Sequence, residues 1–204
     1  MIRLFIFYTL FIGLNSCSSP LTKEITEYRK EYFKEFMSDP RSPLKEADLA
    51  KLDFYPASGK ARITATFNPT TDSEPFDMPT YSGLTRKYRK YGVATFSWGS
   101  VKATLSLYEN LSLLSNPDFK DYLFLPFKDE TNGVTTYGGG RYINMSKADA
   151  EDGSITIDFN KCYNPYCAYS DGFNCPIPPR ENNLPFEVHA GEKNFKGAYT
   201  AVGH

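Results

Sequence analysis

The sequence predicts a mainly β domain, an antiparallel barrel or sandwich of about eight to nine strands led by one amphipathic helix. Three observations carry that expectation. Apolar residues recur at helical spacing only near the start, from Leu21 to Phe36. From Leu52 onward, apolar and polar residues alternate instead along short runs. Turn dipeptides such as Asn132-Gly133, Asp152-Gly153 and Asp171-Gly172 separate those runs. Aromatic residues make up 16% of the chain, and with few leucines and isoleucines beside them this favours half-buried strands.

The chain opens MIRLFIFYTLFIGLNSC, in which Arg3 precedes an apolar run from Leu4 to Leu14 and then Asn15, Ser16 and Cys17. A cation, a short apolar stretch and a small-residue junction are the parts of an export signal. The run is shorter than the roughly 18 to 20 residues that cross a bilayer as a helix. Leu14-Asn15-Ser16-Cys17 resembles the lipobox of bacterial lipoproteins, which implies removal of residues 1–16 and lipidation of Cys17. Residues 17–21 then form a lipidated tether and 22–204 a single domain. Neither Ser18 nor Ser19 is acidic, so the expected position is the cell envelope, on the periplasm-facing side of the outer membrane.

The leading helix is expected over 22–37. Leu21, Ile25, Tyr28, Tyr32, Phe33 and Phe36 line one face, and Lys23, Glu24, Glu27, Lys30, Glu31 and Lys34 fill the other. Thr22 is the expected N-cap, and Asp39-Pro40 and Ser42-Pro43 end the helix. Its mixed charges favour packing on the domain over lying on a membrane. Strands follow where Ile63, Ala65 and Phe67 alternate with Arg62, Thr64 and Thr66, and where Val101, Ala103, Leu105 and Leu107 alternate with Lys102, Thr104 and Ser106. Gly99-Ser100 joins this last run to Val93–Trp98 as a tight hairpin. Ile155, Ile157 and Phe159 make a later strand, and Ser146 to Ala150 a helical turn.

The 23 basic and 24 acidic residues nearly cancel, so net charge calls for neither nucleic acid nor a strongly charged partner. With Cys17 lipidated, Cys162, Cys167 and Cys175 remain, which in an oxidising compartment gives one disulfide and one thiol. The pairing is open at this point, although a Cys167–Cys175 bond would close the turn-rich segment that contains them. A zinc site built from the three cysteines and His189 is the weaker reading, because the paired C-x-x-C knuckles of structural zinc sites are missing. No cofactor or metal is expected.

Four segments are candidates for chemistry. Leu84 to Gly92 interleaves tyrosines with cations, which suits lipid phosphates, an anionic glycan or a solvated connection. In Thr136 to Tyr142, TYGGGRY, three glycines permit close backbone approach beside Arg141. From Asp158 to Asn164, Asp158, Asn160, Tyr163 and Asn164 form a dense polar set, and CPIPPREN from Cys175 adds Glu181 and Asn182. No nucleotide-binding, serine-hydrolase or zinc-protease motif is present, and His189 and His204 are the only histidines.

TYGGGRY, DFN, YNPYCAY, CPIPPREN and AGE, in that order, resemble the uncharacterised bacterial family known as domain of unknown function 1684, many of whose members are exported lipoproteins. The resemblance extends from about Tyr28 to Glu192. It carries over no activity, but it implies that Cys167 and Cys175 pair and that Cys162 stands outside the shared motifs, either buried or partly reactive.

The resulting expectation is a non-enzymatic envelope lipoprotein, bound to the membrane through its lipid. Its domain would bind a small molecule, a glycan or an envelope protein, and no nucleic acid. The candidate face comprises Tyr137, Arg141, Asp158, Asn160, Tyr163, Asn164 and Asn182: charge from the arginine, directional hydrogen bonds from the amides, stacking area from the tyrosines. The alternative is an envelope hydrolase acting on glycan or ester bonds through Asp158 and Glu192 as acid and base, with Arg141 stabilising developing charge.

Overall fold

The computed structural model describes residues 19–201 apart from Thr71; the export signal, Cys17 and His204 lie outside the described residues. Helix α1 spans Pro20–Ser38 and a single turn, α2, spans Glu46–Leu49. Eight strands follow: β1 Arg62–Pro69, β2 Phe76–Pro79, β3 Thr85–Trp98, β4 Val101–Asn110, β5 Tyr122–Phe127, β6 Arg141–Ser146, β7 Ala150–Glu151 and β8 Ser154–Asp158. No helix among the described residues is long and apolar enough to cross a membrane.

Helix α1 starts two residues earlier than its periodicity suggested. Ser19, not Thr22, is the N-cap: its side chain accepts from the Thr22 amide, and Pro20 occupies the first turn, where its missing N–H costs nothing. Ile25, Tyr32 and Phe36 are buried, so this face packs on the domain, where each such side chain contributes about 2 kcal/mol. Tyr32 and Phe36 share a cluster with Leu44 and Tyr169.

All strand pairings are antiparallel, in the order β6-β5-β4-β3-β1-β8-β7, with β2 added along β3. The expected barrel is not closed. The sheet curls into a half-barrel, and the ends draw near one another: Ile143 and Met145 of β6 share a core cluster with Ile155 and Ile157 of β8. The reason is the chain after β8, which fills the open side with 3₁₀ turns and single bridges rather than further strands. Its Leu184, Val188 and Ala190 complete the inner core.

The alternation in β1, β4 and β8 runs as expected, with Ala65 and Phe67, Leu105 and Leu107, and Ile155 and Ile157 facing inward. Gly99, at φ +59°, opens the two-residue turn between Trp98 and Val101. A register shift between Lys90 and Gly92 then changes which face β3 presents. Ala94 and Phe96 join the inner core, whereas Tyr88, also at an even position, joins a second cluster on the outer face with Met78, Tyr108, Phe124 and Tyr142. The basic Leu84–Gly92 segment is therefore largely strand and not a loop. Its cations pair with nearby acids: Lys87 with Asp77, Arg89 with Glu109 and Lys90 with Glu181.

Candidate functional site

The glycines before Arg141 permit an internal crossing. Gly140 has φ +93°, and a Cβ there would stand 2.6 Å from the Phe127 carbonyl. Gly139 lies under the Tyr137 ring. Arg141 follows with 0% exposure. One guanidinium nitrogen donates to Asp129 Oδ2 at 2.8 Å and Val188 O at 2.9 Å, the other to Ala190 O at 2.5 Å and Glu192 O at 3.2 Å. Asp129 Oδ1 accepts from Thr131 and from the Val188 amide. Arg141 thus joins β6 to the C-terminal chain.

The other polar candidates are similarly engaged. Asp158 Oδ2 binds Arg62 at 2.7 Å, and its Oδ1 caps the Asn160 amide. Asn160 holds Ser58 through both N–H and C=O. Asn182 inserts where β4 and β5 share one residue pair, Tyr108 with Phe124. Its Oδ1 accepts from the Ser106 amide, while its Nδ2 donates to Ser106 O and Pro126 O, supplying bonds that a neighbouring strand would otherwise make. Glu181 receives Lys90 and the Tyr108 hydroxyl, each at 2.7 Å. His189 is exposed, 3.5 Å from Glu187.

Glu192 is fully buried. Its carboxylate accepts from Tyr169 Oη at 2.5 Å, the Asn164 amide at 2.9 Å and Tyr32 Oη at 3.0 Å. Burial outweighs these donors and raises its pKa from the ordinary 4.5 to about 7. Below pH 4.5 both the folded and unfolded chains carry the proton, and the fold bears no penalty. As pH rises towards 7 the unfolded chain loses its proton first, so stability falls by an amount on the order of 3 kcal/mol. Glu192→Gln is expected to remove this slope. Urea unfolding of both proteins at pH 5 and pH 8 checks this, and equal slopes would refute it. Glu192 and Arg141 lie inside the domain, whereas Asp158 borders a 260 Å³ surface pocket with Glu24 and Arg62. The three do not meet on an open surface.

The segment that contains the remaining cysteines is closed by a Cys167–Cys175 disulfide, with Cα atoms 6.3 Å apart. Cys162 is buried, and burial pushes its thiol up to about 11, which leaves it protonated and unreactive at neutral pH. Loop-closure entropy predicts that Cys167→Ser costs roughly 2–3 kcal/mol. The same loss should follow reduction of the parent protein. A melting temperature insensitive to both changes would contradict this.

Open space lies around Tyr163 and Tyr166 instead. A 280 Å³ groove crosses the outer face of the sheet, with Tyr88, Phe124, Tyr142 and Tyr163 along it and Arg86, Asn110 and Asn164 among its polar residues. A 480 Å³ cavity lies on the other side, against α1. Of the sequence candidates, Tyr163 borders both and Asn164 the groove; Tyr137, Arg141, Asn160 and Asn182 border neither. Sequence reasoning missed most of the lining. A partial signal existed, because Arg86 and Tyr88 belong to the basic aromatic segment and Tyr28 and Tyr32 to the helical stripe.

A family model described as "Protein of unknown function (DUF1684)" matches residues 47–193. The solution structure of an uncharacterised protein from gene locus rrnAC0354 of Haloarcula marismortui is similar, with 31% identity and a TM-score of 0.66, covering 84% of this chain and 92% of that one. No protein of curated function matches the chain.

Proposed function

The chain belongs to the DUF1684 family of proteins of unknown function, and from that premise we propose that it is a cell-envelope lipoprotein whose domain binds a glycan, without catalysis, in the outer groove. The observation that carries this reading is the groove's lining: seven aromatic rings and four amide or guanidinium side chains, with no carboxylate among them. Aromatic faces pack against the C–H faces of sugar rings, and amides and phenols pair with hydroxyls. Asn110 and Tyr88 are already joined, with Asn110 Nδ2 donating to the phenol at 3.3 Å, so part of the polar edge is preorganised.

The test is a titration of the purified protein with a panel of neutral and acidic oligosaccharides, followed through the side-chain amide resonances of Asn110 and Asn164. Saturable shifts that Asn110→Ala weakens are expected. If every glycan leaves these resonances unmoved at millimolar concentration, the glycan reading is wrong.

Anchoring rests on Cys17 and is tested separately. Cys17→Ser should abolish incorporation of labelled fatty acid and move the protein from the membrane fraction to the soluble one, since stable attachment takes more than one acyl chain. Persistence in the membrane fraction without label would overturn the lipoprotein reading.

A further inference from the structure

The 480 Å³ cavity lies between α1 and the turn that carries Tyr163 and Tyr166, with Tyr28 and Tyr32 on the helical side. Glu31, Glu35 and Asp39 border it, as do Arg41 and Lys161. Most of this charge is already paired. Glu31 holds Lys34 at 2.7 Å, Asp39 takes three bonds from Arg41 and one from the Tyr166 hydroxyl, and Lys161 reaches Glu24 at 3.2 Å. Glu35 differs: among the described residues its carboxylate has no ion pair and no side-chain hydrogen bond. Burial, followed by the Glu31 charge, raises its pKa. It therefore stands beside aromatic rings as an unneutralised carboxylate.

We propose that this cavity binds an organic cation, an alkylammonium or quaternary ammonium group held between the tyrosine rings and the Glu35 carboxylate. A divalent metal ion would demand several oxygen ligands, and only one carboxylate here is uncommitted. A bulky, weakly hydrated cation needs one counter-charge and aromatic faces. Such a contact already exists at the rim, where the Lys161 ammonium lies 5.6 Å from the centre of the Tyr28 ring. The cavity shares Tyr163 and Tyr166 with the glycan groove, but Glu35 and Tyr28 border this cavity alone of the two, so variants at these positions test it separately.

Choline and 3,3-dimethylbutan-1-ol have the same shape and differ in charge, so calorimetric titration of the purified protein with each isolates the proposed interaction. Choline should bind at one site and the neutral isostere roughly tenfold more weakly or not at all. Glu35→Gln, at an exposed position, should leave the melting temperature unchanged and weaken choline by about the same factor. Tyr28→Leu should weaken it too. Equal binding of the two probes, no choline binding at tens of millimolar, or unaltered affinity in Glu35→Gln would each overturn the proposal. So would stoichiometric displacement of choline by calcium.

Discussion

Arg141→Ala should lower the stability of the domain by about 3–5 kcal/mol, the range for removing one partner of a buried ion pair. The size follows from what remains. Asp129, whose side chain is 0% exposed, loses its cationic partner. The Val188, Ala190 and Glu192 carbonyls lose a shared donor together. Water reaches none of these groups, so no solvent bond replaces what is lost. In a domain of this size the melting temperature should fall by roughly 6–20 °C. Arg141→Lys keeps the charge but lacks the planar fork that serves several acceptors at once, and its stability should lie between the parent's and that of Arg141→Ala. Thermal unfolding of the three proteins makes the comparison, and a shift of only a degree or two in Arg141→Ala would exclude a structural role for the pair.

Gly191→Ala should be comparably damaging for an unrelated reason. Gly191 has φ +69°, a conformation that costs an L-residue roughly 1 kcal/mol. Its side-chain position is also filled: a Cβ would lie 2.2 Å from Cys162 Sγ, 2.6 Å from Cys162 O and 2.7 Å from Phe159 O. Two of those atoms are backbone carbonyls, which cannot move without shifting the turn after β8. The neighbouring residues cannot give way either, since Ala190 and Glu192 are held through their carbonyls by Arg141. Combining Gly191→Ala with Cys162→Ala removes the sulfur contact alone, so recovery should be partial. Gly83→Ala is the control: its φ is +83°, but nothing stands within 4 Å of the added carbon. Its cost should be about 1 kcal/mol. If the two glycine variants unfold alike in urea, the steric account of Gly191 is wrong.

These two positions show where sequence patterning reaches its limit. Arg141 and the amides were recognisable as unusual, because charged and amide groups beside glycines and turns need partners. Whether a partner is a ligand or the protein's own backbone depends on the chain that packs against it. Val188 to Glu192 follows Arg141 by some fifty positions, and no local pattern announces that its carbonyls will enclose a guanidinium. Asn182 is the same case, since it reads as a loop residue yet completes the bonding between β4 and β5. Most of the cavity residues were not singled out as a binding face, for the opposite reason. Tyr28, Tyr88, Phe124 and Tyr142 resemble core aromatics, and several are largely buried; only the path of the Tyr163–Tyr166 turn leaves open space beside them.

The leading helix, the alternating strands, the Gly99-Ser100 hairpin and the mainly β class are legible in the residue pattern alone, because periodicity and turn chemistry act over a few neighbouring residues. The family resemblance, drawn from the sequence as well, singled out the Cys167–Cys175 pair. Tertiary structure decided that the sheet stays open, that β3 changes face at its register shift, and that the polar motifs turn inward while tyrosines line the cavities. Those outcomes depend on which distant segments cover each face of the sheet, and burial converts the same arginine, asparagine or glutamate from a surface group into an internal one.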